Sequence, residues 1–317
     1  MRFDIRYRMA FDYDSAISES QNEIRVRPLD ADHQRVISYR LSTDPAGRQL
    51  SMRDYWGTTV DHVGYRPWHR SFEVVAEAAV ETSPRRAVES DPPVSMLADD
   101  EWRLSTLEYL EPSDLAPIDD TVTEFAEAAA DGQTTVVSLV EAMVAAVRER
   151  VAYESGSTEI GDSPADVLEG GRGVCQDYAH LTIAALRAVG VPARYVSGYL
   201  FAQDETTLID DGSDAVRVQT HAWVEAAIPG HGWWAVDPTN GGVVGERHVD
   251  IGHARDYGDV PPVRGVFVGD ATATVDAEVV IAKLAPLVRT VTSDPIRRSG
   301  RGVPFAARAM QEAQQQQ

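Results

Sequence analysis

One cysteine, Cys175, stands in 317 residues, so no intramolecular disulfide can form and a cysteine-rich metal site is excluded. That count fits a reducing compartment. Lysine is also nearly absent: Lys283 is the sole lysine among 29 basic residues, which face 50 acidic ones for a net charge of −21. A surface so poor in positive charge is unsuited to displacing the counterions of nucleic acid or binding an anionic membrane, and neither partner is expected. No run reaches the roughly 18 uncharged apolar residues of a membrane helix. The first twenty residues, MRFDIRYRMAFDYDSAISES, carry charge at short intervals and hold no signal-peptide apolar core. The expected location is cytoplasmic.

What remains is an ordinary globular composition, 43% hydrophobic and 25% charged, with enough apolar side chains for a sizeable core. The length exceeds that of a usual single domain, so two units and a tail are expected. In the opening segment Phe3, Ile5, Tyr7, Met9, Phe11 and Tyr13 alternate with Arg2, Asp4, Arg6, Arg8 and Asp12, the period of a half-buried strand. The alternation returns at Ile37, Tyr39 and Leu41 and from Phe72 to Val80. Residues 1–112 therefore read as an all-β, sandwich-like domain. Beyond a stretch rich in proline and aspartate the period changes. Val136, Val140, Met143, Val147 and Val151 share one helical face. A glycine-rich turn then leads into CQDYAHLTIAALRAV, apolar around most of its circumference and stopped by Gly190 and Pro192, which predicts a buried helix. The strand-like runs ARYVSGYLF, HAWVEAAI and GWWAVDPT follow, the last two joined by the turn Pro229-Gly230-His231-Gly232. Helix followed by antiparallel sheet makes residues 113–288 an α+β domain. Residues 289–317 lose periodicity, end in glutamines and read as a partly disordered tail.

Cys175 falls in the first turn of the predicted buried helix, where unpaired N–H groups and the positive end of the helix dipole favour a thiolate. Alone it reads more readily as a buried structural cysteine. The hairpin downstream adds two partners. Ala222, Val224, Ala226 and Ile228 form one face of HAWVEAAI, leaving His221, Trp223 and Glu225 on the other. In the returning strand Trp234 and Val236 take the apolar face, which puts Asp237 on the side of His221, within diagonal cross-strand reach. A thiolate that attacks an acyl carbon, an imidazole that moves protons and a carboxylate that orients the imidazole make a complete nucleophilic machinery.

The segment GRGVCQDYAHLTIAALRAVGVPARYVSGYL, followed by THAWVEAAIPGHGWWAVDPTNG, closely resembles the bacterial transglutaminase-like family, in the superfamily of papain-like Cys-His-Asp folds. The resemblance implies a catalytic triad of Cys175, His221 and Asp237, carried on a buried helix packed against an antiparallel sheet. SQNEIRVRPL and DYWGTTV look like the β-rich domain that precedes such catalytic domains, and DYGDVPPVRGV looks like their usual ending. AYESGST resembles a recurring family motif, which makes Tyr153 the candidate second oxyanion donor beside the N–H of Cys175. Trp223 and Gln176 are candidate substrate-binding residues; an aromatic residue in a strand, such as Trp223, is more often core, and Gln176 and Asp177 can instead support the helix start. His180 lies about 140° around the helix from Cys175 and reads as a core histidine. The acidic loop Asp204–Asp214 lacks the ligand spacing of an EF-hand, a zinc site on Cys175, His221 and Asp237 is the less favoured reading, and no metal or cofactor is expected. The implied activity is acyl transfer on a peptide or protein substrate, hydrolysis slightly ahead of amine transfer. The alternatives are a protein-glutamine cross-linking enzyme and a catalytically retired scaffold.

Overall fold

The computed structural model describes residues 1–158, 161–202, 209 and 215–284. In chain order its N-terminal strands are β1 (Arg2–Ile24), β2 (Gln34–Asp44), β3 (Arg48–Arg53), β4 (Thr59–Tyr65) and β5 (His69–Thr82). Helices α1 (Asp100–Thr106), α2 (Asp120–Ala130) and α3 (Val136–Arg150) follow, then β6 (Ala152–Tyr153), α4 (Pro164–Gly170), β7 (Arg172–Gly173) and α5 (Cys175–Ala188). The remaining strands are β8 (Ala193–Leu200), β9 (Ala215–Val218), β10 (Thr220–Ile228), β11 (Gly232–Asp237), β12 (Gly242–Val243), β13 (His248–Ala254), β14 (Val263–Val268) and β15 (Ala273–Lys283). The fold is α+β.

Alternation in β1 buries Phe3, Ile5 and Tyr7, as expected from the sequence. The first half of this long strand pairs with β5 and β15, while residues 18–24 pair with β4 and β14. Between the halves Glu19 takes a positive φ of +51° and the pairing register shifts, so one strand turns from one set of neighbours to another and the eight-stranded antiparallel sheet curls. Its apolar core is completed by Tyr199 of β8, by Phe201 directly after that strand and by Val249 and Ile251 of β13.

Later strands cross the division expected at residue 112, beyond which a second unit was to run to 288. β9, β14 and β15 lie late in the chain yet belong to the N-terminal sheet, and residues 1–285 form one compact unit. Charge joins the two regions as well. Arg85 bridges Glu225 and Asp250, Arg194 approaches Glu225 at 2.6 Å, and His33 meets Asp250 at 2.9 Å. These groups are largely buried, and mutual pairing offsets the cost of removing them from water.

The second, five-stranded sheet runs β12-β11-β10-β8-β13. Ala222, Val224, Ala226, Ile228, Trp234 and Val236 turn toward the helices, where Leu139, Val140, Met143 and Val147 of α3 meet Leu181, Ile183 and Leu186 of α5. Helix α5 is buried along most of its length, matching its apolar circumference. It ends as predicted. The N–H of Val191 bonds to Leu186 and that of Gly190, at φ +83°, to Arg187, the paired bonds of a Schellman motif.

Gly198 of β8 lies under the Trp223 ring. A Cβ there would sit 2.2 Å from the indole and 2.4 Å from the carbonyl oxygen of Val249. Gly198→Ala is expected to destabilise the fold by about 3 kcal/mol through overpacking, read as a lower urea midpoint with an unchanged m-value.

Candidate active site

Four elements converge on Cys175. The parallel bridge of β6 to β7 sets Tyr153 beside Gly173. Two residues later the chain enters α5 with Cys175 as its first residue. Asp177, two residues on, reaches back to the N–H of Val174 at 2.7 Å and accepts from the Thr158 hydroxyl at 2.6 Å, so one of the two candidate support residues does fix the helix start. Burial raises the pKa of Asp177, and its two hydrogen bonds work the other way. Gln176 is half-buried beside the cysteine.

β10 and β11 deliver the imidazole and the carboxylate. The register pairs Val224 with Val236 and Ile228 with Gly232, which leaves His221 and Asp237 diagonal to each other on one face. His221 Nε2 is 2.9 Å from Asp237 Oδ2, the contact anticipated from strand alternation. With Nε2 engaged, Nδ1 is the ring nitrogen left for Cys175, which lies near enough to help raise the pKa of the imidazole. Burial disfavours charge on His221, but the hydrogen bonds to Asp237 and Cys175 and their negative charge outweigh it and raise its pKa to about 10. Asp237 responds inversely. Burial opposes its ionisation, while the donors around it hold it well below the usual carboxylate range.

Those donors surround both carboxylate oxygens. Oδ1 accepts from the N–H groups of Thr239 and Asn240 at 3.0 and 3.1 Å. Oδ2 receives Asn240 Nδ2 at 2.7 Å, His221, and His248 Nε2 at 3.1 Å. Asn240 and His248 are absent from the sequence reading. For Asn240 the signal was available, because an Asp-Pro-Thr-Asn turn brings the asparagine back toward the aspartate. His248 carries no local signal, since it arrives from β13 eleven residues later.

Tyr153 is 58% exposed and stands 6.4 Å, ring to ring, from Tyr178. Partial burial raises its pKa, and the nearby Cys175 charge raises it further, so it keeps the proton that a hydrogen-bond donor needs. Trp223 is corrected. It is fully buried, enclosed by Val196, Ala235 and Val244 and packed edge-on against His248 at 5.2 Å, where no substrate reaches it. Period two placed it on the His221 face, but that face is covered rather than open. His180 is the expected core histidine, accepting from the Tyr257 N–H at 3.2 Å, with burial lowering its pKa to about 4. The acidic loop Asp204–Asp214, apart from Ile209, and the tail from residue 289 lie outside the described residues.

His221, Asp237 and His248 offer one donor atom each within 4.8 Å of one another, a spacing that raises the question of a metal. The tautomer argues otherwise. A ligating imidazole ordinarily donates its second N–H to an acceptor, whereas His248 Nδ1 accepts from the N–H of Gly245 at 3.3 Å. An amide can only donate here, so the proton of neutral His248 sits on Nε2 and points to Asp237. The group is built as a hydrogen-bond network.

Residues 123–238 match the transglutaminase-like superfamily, and residues 3–81 match the bacterial transglutaminase-like N-terminal region. An uncharacterized protein of Mycobacterium leprae is 33% identical over 90% of this chain and 99% of its own length. The protein-glutamine gamma-glutamyltransferase of Pseudomonas aeruginosa is 33% identical over 36% of this chain, a match spanning 18% of that protein. The crystal structure of a candidate cysteine protease from Cytophaga hutchinsonii superposes with a TM-score of 0.69 at 26% identity, covering 88% of this chain and 90% of the other. From its two family segments, its relatives and its fold, this chain belongs to the transglutaminase-like superfamily, with the bacterial N-terminal region in front of the core.

Proposed function

We propose that the protein is a thiol enzyme performing acyl transfer on peptide or amide carbonyls, with Cys175 as nucleophile, His221 as acid and base, and Asp237 as the group that orients His221. The 2.9 Å hydrogen bond from His221 to Asp237, beside a cysteine at a helix start, carries this reading. The Cys175 sulfur attacks the carbonyl carbon and a C–S bond forms. The oxyanion is met by the Cys175 N–H and the Tyr153 hydroxyl. The imidazolium gives its proton to the departing nitrogen as the C–N bond breaks, leaving a thioester and an amine or ammonia. Water or a primary amine, deprotonated by the now neutral His221, then attacks the thioester and frees the thiolate. Asp237 stays ionised throughout and stabilises the imidazolium each time it forms.

Hydrolysis is our first choice of fate and amine transfer the second. The similarity to a named gamma-glutamyltransferase over 36% of this chain supports keeping the second reading. Ammonia release and amine incorporation, measured on a glutamine-containing protein with and without an added primary amine, separate them. Incorporation exceeding hydrolysis reverses the order, and loss of both in Cys175→Ala ties them to the thiol. A cytoplasmic setting suits an enzyme that depends on a lone reduced thiol. Tyr153→Phe is expected to lower kcat by about a hundredfold with little change in KM, the usual cost of one oxyanion donor. An unchanged kcat would remove Tyr153 from the mechanism.

A further inference from the structure

Five donors meet at Asp237, and one of them has no place in a three-residue mechanism. His248 opens β13, its side chain is 10% exposed, and its ring is wedged against Trp223. Nε2 lies 3.1 Å from Asp237 Oδ2, the same oxygen that holds His221. Nδ1 takes the Gly245 N–H. Because that amide only donates, neutral His248 is confined to the Nε2–H tautomer. The two imidazoles on Oδ2 are thus chemically unequal. His221 faces the thiol and changes its charge in the proposed cycle, whereas His248 is tied at both nitrogens. Among the described contacts, the titratable groups against His248 are Asp237 of β11 and His221 of β10, whose ring centroid is 6.1 Å away.

We propose that His248 is a positioning residue of the triad: a second imidazole that donates Nε2–H to Asp237 Oδ2 and aims the carboxylate at His221 while sharing its charge. The inference rests on the thiol-enzyme reading. Asp237 needs such a partner because its two oxygens must be held in one orientation: the Asp237–Asn240 turn holds Oδ1 with two backbone N–H groups but Oδ2 with only the Asn240 side chain, and His248 adds a donor to Oδ2 from another strand. Trp223 fixes the His248 ring, and Gly198 makes room for Trp223, so the orientation of the carboxylate is carried back into the core of the sheet.

The test compares His248→Phe, which keeps a ring against Trp223 but cannot donate, with His248→Gln, whose side-chain amide can donate to Oδ2. Both are read by iodoacetamide alkylation of Cys175 at pH 6, which needs no substrate and meets no other thiol. The Phe variant is expected to react about tenfold more slowly than wild type and the Gln variant within about twofold, in the range typical for groups that orient a reactive ligand. Side-chain imidazole NMR of the wild type at pH 7 is expected to show His248 as the Nε2–H tautomer. An Nδ1–H tautomer, or a Phe variant that reacts like wild type, overturns the proposal; so does a Gln variant as slow as Phe. His221→Ala serves as the reference. If it too reacts like wild type, the thiol reading itself fails. If it is slow while His248→Phe is not, only the role of His248 is lost.

Discussion

Asp237→Asn is expected to lower turnover by about ten-thousandfold while leaving the fold intact, because an amide presents a donor where His221 needs an acceptor. Asp237→Ala removes the acceptor for two imidazoles, the Asn240 side chain and two backbone N–H groups at once. That variant should lose about 3 kcal/mol of stability at pH 6 as well as activity, since it leaves buried donors and an imidazolium without their counter-charge. The loss has a defined pH dependence. Asp237 is held below its ordinary value of 3.8, so its contribution is present above about pH 4 and fades as the pH falls. His221 is raised from 6.5 to about 10, so its contribution is complete below pH 6.5 and disappears as the pH rises through 10. The stability gap between wild type and Asp237→Ala should therefore be widest between about pH 4 and 6.5 and narrow in both directions. Denaturant unfolding across that range measures it; a gap independent of pH would mean that the triad charges do not couple.

The second large effect concerns the thiol. At pH 6 wild-type Cys175 should be alkylated at least tenfold faster than in His221→Ala, because the imidazolium that persists to about pH 10 stabilises the reactive thiolate beside it. Stopped-flow or mass-spectrometric alkylation gives a clean signal, as the chain holds one cysteine. Coincident rates in the two proteins would mean that no thiolate–imidazolium pair exists in the resting state.

Much of this site is local and so can be read from the chain. The apolar circumference and glycine stop of residues 175–190 specify a buried helix with Cys175 at its start, and the structure has that helix at Cys175–Ala188. A period of two needs no knowledge of the fold to place His221 and Asp237 on one side of a hairpin. Trp223 shows where the same argument stops. Alternation assigns a side chain to a face, but whether the face is open or covered depends on what packs there, and Val244 and His248 come from segments beyond the hairpin.

The late strands of the first sheet escaped the sequence for a related reason. Residues 263–283 carry strand patterns like those of any edge, and nothing local states that they pair with β1, where Phe3 lies 280 positions before its partner Lys283. Spacing within a single element or hairpin was enough to place the buried helix that begins at Cys175 and to put His221 and Asp237 on one side of a hairpin. The tertiary structure alone decided that late strands complete the first sheet, that Trp223 is core, and that His248 joins Asp237. Those contacts form only when distant segments bury their apolar faces together, and side-chain periodicity holds no record of which segment the partner will be.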